Sequence, residues 1–453
     1  MDQHEIVKKL SISVRSHSYE RMVSDNMEKK PLNAQGAEAL AALLQQTKDA
    51  YDAFQAKKLS LNMARGKPGP EQLDLTLPLM DALPADAGMI SESGDDCRNY
   101  GVLSGISEAK KLFADILGAK PEEMFIGGNS SLELMFACLQ IAYVKGIAGC
   151  PAWKTLDKVK FLCPVPGYDR HFALTEYFDV EMIPVPTDEN GPDMAMVKKY
   201  AESDPAVKGI WCVPVYANPT GIVYSDETVR AFAALKPAAK DFRIFWDNAY
   251  CIHHLVAEPK KPLTINQACE ESGNTDIFYQ FVSTSKVTFP GAGVAAFNTS
   301  KTNLDELSKS LGIQTIGFDK INQLRHVRFF GNADKMRAHM EKHRAVLKPK
   351  FDIVLDMLEQ EIAPLGIASW TKPEGGYFIS FNAPKGTAKR IVQLCKEGGV
   401  TLTGAGATYP YKNDPDDSNI RIAPTYPKCE ELSQAMELFC ICVKLAALEQ
   451  LTK

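Results

Sequence analysis

Residues 276–286 read DIFYQFVSTSK. The FYQFV core is an aromatic and β-branched run of strand length, bounded by small hydroxyl residues and then by a single lysine. A lysine is ordinarily a solvated surface residue, so Lys286 needs a reason to stand directly behind a run that reads as a buried strand. The chain continues as VTFPGAGVAAF to residue 297, which surrounds the amine with small side chains and glycines. A lysine held at the edge of a sheet loses hydration, which favours the neutral amine and nucleophilic attack on a carbonyl. The same grammar extends outward. EEMFIGG, KVKFLCPVP, VEMIPVP, KGIWCVPV and FRIFWD read as further short strands. Helical runs alternate with them, including SEAKKLFADILG, with Ser107 as its expected N-cap and Gly118 just past its end, and SLELMFACLQIAYVKG. This alternation predicts an α/β fold whose mostly parallel central sheet is flanked by helices. In such sheets ligands sit at the carboxyl ends of the strands, so the residues just after each strand carry the functional reading.

A chain of 453 residues exceeds what one hydrophobic core serves, so a large domain and a smaller one are expected. Three segments are predicted: an N-terminal arm with part of the small domain over 1–60, the large domain over 61–330, and an interdomain helix with the C-terminal small α+β domain over 331–453. The helical stretch after residue 331 is expected to break at Pro349. Hydrophobic residues make up 45% and charged residues 24%, with a formal net charge of -5. That balance gives no basic footprint for nucleic acid and no polybasic membrane patch, which leaves small-molecule chemistry as the expectation. The first residues lack a secretory pattern and no apolar stretch approaches spanning length, so a cytoplasmic protein is expected. Eleven cysteines without CxxC pairs read as reduced core thiols, and His253 and His254 as part of a helix after Tyr250 rather than as metal ligands. No metal site is expected.

Six positions at strand ends could carry chemistry. In GGNSSLEL, residues 127–134, a strand ends in two glycines and a helix begins, which offers free N–H groups and the hydroxyls of Ser130 and Ser131 to an anion. Simple capping by Asn129 or Ser130 would explain the same residues. Tyr168 in CPVPGYD could cover a flat ring or pack as an ordinary half-buried tyrosine. Asn218 lies in VPVYANPTG, which reads equally as a turn. Asp247 and Tyr250 close FRIFWDNAY, where a buried carboxylate would need a cation and capping is the alternative. Lys286 follows Ser283 and Ser285. Arg421 alternates with apolar neighbours in NIRIAPTY, and its guanidinium fork suits a carboxylate unless the strand is exposed.

Taken in order, the glycine-rich turn, the aromatic after Pro-x, Asn-Pro-Thr-Gly, Asp-x-x-Tyr, Ser-x-Ser-Lys and the strand arginine resemble the fold type I aminotransferases that depend on pyridoxal phosphate. ARGKPGPEQLDL, NYGVLSG, CPVPGYDRH, STSKVTFPGAGV and INQLRHVRFF are similar to a bacterial subgroup of aspartate aminotransferases sometimes labelled MocR-like.

The resemblance implies a role for each residue. Lys286 would bond the aldehyde of pyridoxal 5'-phosphate and later shuttle a proton. Asp247 would pair with the ring nitrogen, Asn218 and Tyr250 with the ring oxygen, and Tyr168 would stack on the ring. Ser130, Ser131 and Ser283 would hold the phosphate, joined by Tyr100 from a neighbouring subunit of a homodimer. Arg421 would grip the substrate α-carboxylate, assisted by Asn218 and the backbone near Gly66. The implied reaction is aspartate plus 2-oxoglutarate to oxaloacetate plus glutamate, with ping-pong kinetics. An aromatic or alanine aminotransferase and a fold type I lyase are the alternatives. A cofactor-sensing regulator would need a winged helix-turn-helix, and residues 1–60 are too short for one.

One departure stands out. Many relatives carry an arginine shortly after the lysine to neutralise the phosphate, whereas this chain has Gly291-Ala292-Gly293. Arg325, Arg328 and Lys301 are candidate replacements. Arg65, Lys67, Arg98 and Arg325 are candidates for a second substrate carboxylate.

Overall fold

A computed structural model describes residues 30–453, so the first 29 residues of the segment expected over 1–60 lie outside the described residues. Eight strands form the large sheet: β1 (Met124–Ile126), β2 (Lys160–Val165), β3 (Glu181–Asp188), β4 (Gly191–Pro192), β5 (Val207–Cys212), β6 (Arg243–Asp247), β7 (Phe278–Ser283) and β8 (Ala295–Asn298). Their order is β1-β8-β7-β6-β5-β2-β3-β4. From β7 through β3 the neighbours run parallel, and β8 and β4 are antiparallel to the strands beside them. Every residue of β5, β6, β7 and β8 is buried, which is why the first three read as largely apolar runs rather than alternating ones.

β8 was not anticipated from the sequence, because AAF is too short and too plain to be told from a loop by periodicity. It forms because the chain after Lys286 doubles back. Thr284 N donates to Val294 O at 2.8 Å, and Val294 N donates to Thr284 Oγ1 at 2.9 Å.

Strand alternation then decides where chemistry can sit. Phe161, Trp211, Phe245 and Phe281 fill one face of the sheet, while Leu162, Ile210, Ile244 and Phe278 fill the other. Asp247 comes two residues after Phe245 and Ser283 two after Phe281, so both emerge on the first face. Asp247 and Phe281 are register partners, which sets the carboxylate beside the strand that leads to Lys286.

The helices used below are α1 (Ala37–Gln55), α2 (Ser107–Leu117), α3 (Ser131–Lys145), α4 (Asp169–Tyr177), α5 (Lys320–Phe330), α6 (Ala333–Glu361) and α7 (Cys429–Leu451). Gly118 ends α2 in the left-handed region at φ 64, as its position predicts. The N-cap of α2 is Ile106 rather than Ser107, whose hydroxyl donates to Glu108 Oε2 instead. α6 is one helix of 29 residues that runs through Pro349 without breaking. An interior proline costs about 3 kcal/mol. Here tertiary packing offsets it, because Leu347, Phe351 and Val354 are buried on either side and Lys350 donates to Glu71 Oε2 at 2.8 Å.

A separate antiparallel sheet is formed by β9 (Ser369–Trp370), β10 (Ile379–Asn382) and β11 (Asn419–Ile422), in that order, covered by α7. α1 joins it from the other end of the chain, with Leu40 and Leu43 packed against Ala447 and Leu448. Cys251 and Ile252 form a turn, and His253 and His254 lie beyond it rather than in the expected helix. The reason lies in competing backbone partners, since His254 bridges to Gly375 and Leu255 N donates to Glu374 O. All eleven cysteines are free, and Cys150, Cys251 and Cys429 are half-buried rather than core residues. Among the described residues no helix is long and apolar enough to cross a membrane.

The base of the sheet is pinned by a buried polar triad. Lys208 Nζ donates to Asp241 Oδ1 at 2.7 Å, and Trp153 Nε1 donates to Oδ2 of the same carboxylate at 2.8 Å. Asp241→Ala strands an ammonium and an indole N–H in the interior, and should destabilise the fold by about 3–5 kcal/mol. A thermal melt of the variant checks this, and an unchanged midpoint would contradict it.

Candidate active site

The centre of the site is a carboxylate at the end of β6. Asp247 is buried, and its Oδ2 lies 3.0 Å from His171 Nε2, so that an imidazole N–H donates to it. His171 in turn stacks on Trp211, with ring centroids 4.3 Å apart and planes 10° from parallel. The other oxygen, Asp247 Oδ1, is buried without any hydrogen-bond partner. A buried acceptor in that condition costs free energy unless a donor arrives, and the charge of this carboxylate acts on Lys286.

Lys286 follows β7 in a tight turn in which Val287 N and Thr288 N both donate to Thr284 O, at 2.9 and 2.8 Å. Its amine lies 4.8 Å from the centre of the Tyr250 ring and 5.8 Å from that of Tyr377. No side-chain or backbone acceptor holds it among the described residues. Burial pushes the ammonium below its ordinary pKa, the Asp247 charge opposes that shift, and the Arg421 charge reinforces it. Hydrogen bonds to the Lys286 carbonyl, both at 3.4 Å, come from His253 Nε2 and the Tyr377 hydroxyl. The lysine backbone is thereby fixed while its amine stays free.

Two phenols complete the walls. Burial raises the Tyr250 hydroxyl well above its ordinary pKa, so it remains a neutral donor. Burial, helped by the Asp247 and Asp169 charges, pushes Tyr168 up to about 12. Tyr168 meets His171 edge-on at 4.9 Å.

Arg421 reaches this pocket from β11 of the three-stranded sheet and is buried, not exposed. Its Nη1 donates to Asp169 Oδ1 at 2.7 Å and to Asn218 Oδ1 at 3.3 Å, and its Nη2 donates to Thr403 Oγ1 at 3.3 Å. The guanidinium lies 4.9 Å above the Phe378 ring. Gly66 backs onto the same ring, where a Cβ at that position would come within 2.3 Å of Phe378 Cζ. Only glycine lets that loop approach so closely.

The polar residues expected at a phosphate gather at the start of α3. Ser130 is the N-cap, yet its side chain makes no capping bond, and Ser131 is the first helical residue. Ser283 Oγ donates to Ser285 Oγ at 2.9 Å, and Ser285 Oγ donates to Asn129 O at 3.2 Å, which brings the β7 hydroxyls to the same helix start. Tyr100 is the one predicted residue that stays outside, 83% exposed.

The candidate cations separate. Lys301 pairs with Asp305 just past the end of β8 remote from Lys286, and Arg328 donates to the Ala87 and Gly88 carbonyls. Arg325 is tied to the loop that lacks the arginine: its Nη2 donates to Asn322 Oδ1 at 2.5 Å, and Asn322 Nδ2 donates to Gly293 O at 2.8 Å. Its Nε is buried without a partner. Of the others, Arg98 is bound to Asp96 and Lys67 lies 4.0 Å over the Tyr426 ring, while Arg65 is exposed. Among the described residues no group of three or more His, Cys, Asp or Glu side chains is gathered to hold a metal ion.

Sequence reasoning missed His171, Asp169, Trp211, Thr403 and Phe378. His171 and Asp169 stand inside CPVPGYDRH, and their offsets from Tyr168 place them on the first turn of α4. Nothing in the spacing, however, reveals that one meets Asp247 and the other Arg421.

The chain matches the family described as "Aspartate amino-transferase" over residues 35–453. It is 44% identical over 414 residues to an aspartate aminotransferase of Corynebacterium glutamicum, covering 91% of this chain and 95% of that one. The crystal structure of an aspartate transaminase from C. glutamicum superposes with a TM-score of 0.90 at 44% identity, covering 93% and 99% of the two chains. At 19% identity, the α-aminoadipate aminotransferase LysN of Thermus thermophilus, solved with N-(5'-phosphopyridoxyl)-L-leucine, shares the fold with a TM-score of 0.68 over 88% of this chain and 95% of its own.

The electrostatics of the pocket give a direct test in cofactor-free protein. The Lys286 ammonium should lose its proton below the ordinary lysine range, read as the pH dependence of its labelling by an amine-reactive reagent. Asp247→Asn removes the charge that opposes the shift and should move the midpoint lower still, whereas Arg421→Ala should move it up. A midpoint at the ordinary value in all three proteins would contradict the arrangement.

Proposed function

The chain belongs to the aspartate amino-transferase family, whose fold type I members depend on pyridoxal phosphate, and from that footing we propose that it transfers the amino group of aspartate to 2-oxoglutarate. The two half-reactions alternate, with oxaloacetate leaving before 2-oxoglutarate enters. The observation that carries this reading is the convergence of Lys286, a half-satisfied Asp247 and Arg421 on one pocket. The choice of aspartate is supported by the C. glutamicum relative.

The residues present fit the cofactor. Asp247 Oδ1 is a buried acceptor in need of a donor, Lys286 has a free amine, and the α3 terminus offers unspent N–H groups and hydroxyls for a phosphate. When bound, pyridoxal phosphate supplies an aldehyde that carries the amino group and a ring that accepts the electrons left when the substrate α-carbon loses its proton.

Asp247, oriented by His171 and Trp211, keeps a positive charge at the ring nitrogen. Lys286 Nζ, biased toward its neutral form and bound to no fixed partner, takes the proton from the substrate α-carbon and returns it within the half-reaction. The Tyr250 hydroxyl and the Asn218 amide donate to the ring oxygen, and Tyr168 covers the ring face. Ser130, Ser131 and Ser283 hold the phosphate, with Arg325 supplying the cation that Gly293 does not. Arg421 binds the α-carboxylate with Asn218 beside it, and the Gly66 loop closes the same side.

Tyr100 completes the phosphate site of a partner subunit. Leu77, Met80, Ile90, Ile313 and Ile316 are exposed apolar side chains as well, of the kind a homodimer buries.

Aspartate and glutamate, but not alanine or tyrosine, should rapidly bleach the visible band of the cofactor-loaded protein. Lys286→Ala should abolish turnover while the phosphate site still binds the cofactor, as read by equilibrium dialysis. Retained turnover in that variant, or a preference for tyrosine in the wild type, would contradict the assignment.

A further inference from the structure

Arg421 is 7% exposed, and a guanidinium so far from water needs a counter-ion before any substrate arrives. Asp169 is the one carboxylate bound to it among the described residues, at 2.7 Å. The two partners are unequal, because the Asp169 side chain keeps 35% of its surface exposed while that of Arg421 keeps 7%. Asp169 can therefore swing into solvent, and Arg421 cannot. Asp169 also has somewhere favourable to go. It is the first residue of α4, where the helix dipole and the free N–H groups of the first turn stabilise a negative charge.

The terminal nitrogens of the guanidinium are engaged, while its Nε is buried without a partner. Nη1 serves Asp169 and Asn218, and Nη2 serves Thr403. A carboxylate that pairs with both terminal nitrogens must take over the Nη1 contact of Asp169, because two carboxylates on one buried cation repel each other.

We propose that Asp169 is a resident carboxylate that fills the fork of Arg421 in the empty site, so that substrate enters by exchanging its own carboxylate for that of Asp169. This rests on the reading of Arg421 as the α-carboxylate site. Asp169 is then a positioning and specificity-determining residue. It keeps the fork aligned between turnovers, and it admits only ligands that bring a negative charge sufficient to displace it. Its seat beside Tyr168 puts the exchange at the edge of the ring-stacking residue.

Calorimetric titration of the cofactor-loaded protein with maleate, an unreactive dicarboxylate, tests the exchange. Asp169→Asn should tighten maleate binding by about fivefold, the effect of removing one partly exposed competing ion pair. Asp169→Ser should change affinity in the same direction, which guards against a folding defect in one variant. Asp169→Glu should bind no tighter than the wild type. Weaker or unchanged binding in Asp169→Asn and Asp169→Ser, together with a large loss in Arg421→Ala, would overturn the exchange and leave Asp169 as a simple support. No loss in Arg421→Ala would overturn the carboxylate reading of Arg421 itself.

Discussion

A carboxylate buried at the end of a parallel strand, with one oxygen satisfied and the other not, is the constraint on which the site depends. β6 delivers Asp247 on the face lined by Phe245, where water is excluded. His171 satisfies Oδ2, and Oδ1 is left as an acceptor with no donor. Burying an unmatched acceptor runs against stability, so its persistence points to a ligand that brings the missing proton. The surrounding residues follow from the same demand. Trp211 fixes the ring of His171, Tyr168 meets it edge-on, and the amine of Lys286 is placed where the charge of Asp247 can act on it.

Desolvation sets the protonation of these groups. Lys286 lies against the faces of two tyrosines, which offer an ammonium weak attraction and no hydrogen bond. Its backbone, by contrast, is held by His253 and Tyr377. A fixed carbonyl and an unfixed amine are what a residue needs if it must attack, release and then carry a proton. The same burial keeps Tyr250 protonated, so a base and a hydrogen-bond donor stand side by side. Arg421 arrives from the three-stranded sheet, so the pocket draws on two sheets, with Asp247 from β6 and Arg421 from β11.

Much of this was legible in the sequence, for a physical reason. Strand runs such as FRIFWD and FYQFV are apolar because both faces are covered, and the residues that break the run are those at the carboxyl ends, where ligands bind. Asp247, Lys286 and Ser283 announce themselves in that way. What stayed hidden depends on contacts between distant segments. His171 and Asp169 look like ordinary residues at a helix start until the fold brings them to Asp247 and Arg421. β8 emerges only because Thr284 and Val294 close a return loop, and α6 survives Pro349 because both flanks are packed. The helix expected at His253 and His254 gave way to pairing with residues 374–375, a partner more than a hundred residues downstream.

The central claim is that Lys286 and Asp247 bracket one pyridine ring. A crystal structure of the protein grown with pyridoxal phosphate tests it most directly. The account predicts continuous density from Lys286 Nζ to the aldehyde carbon and a ring nitrogen about 3 Å from Asp247 Oδ1. A ring bound elsewhere, or one whose nitrogen points away from that oxygen, would contradict it.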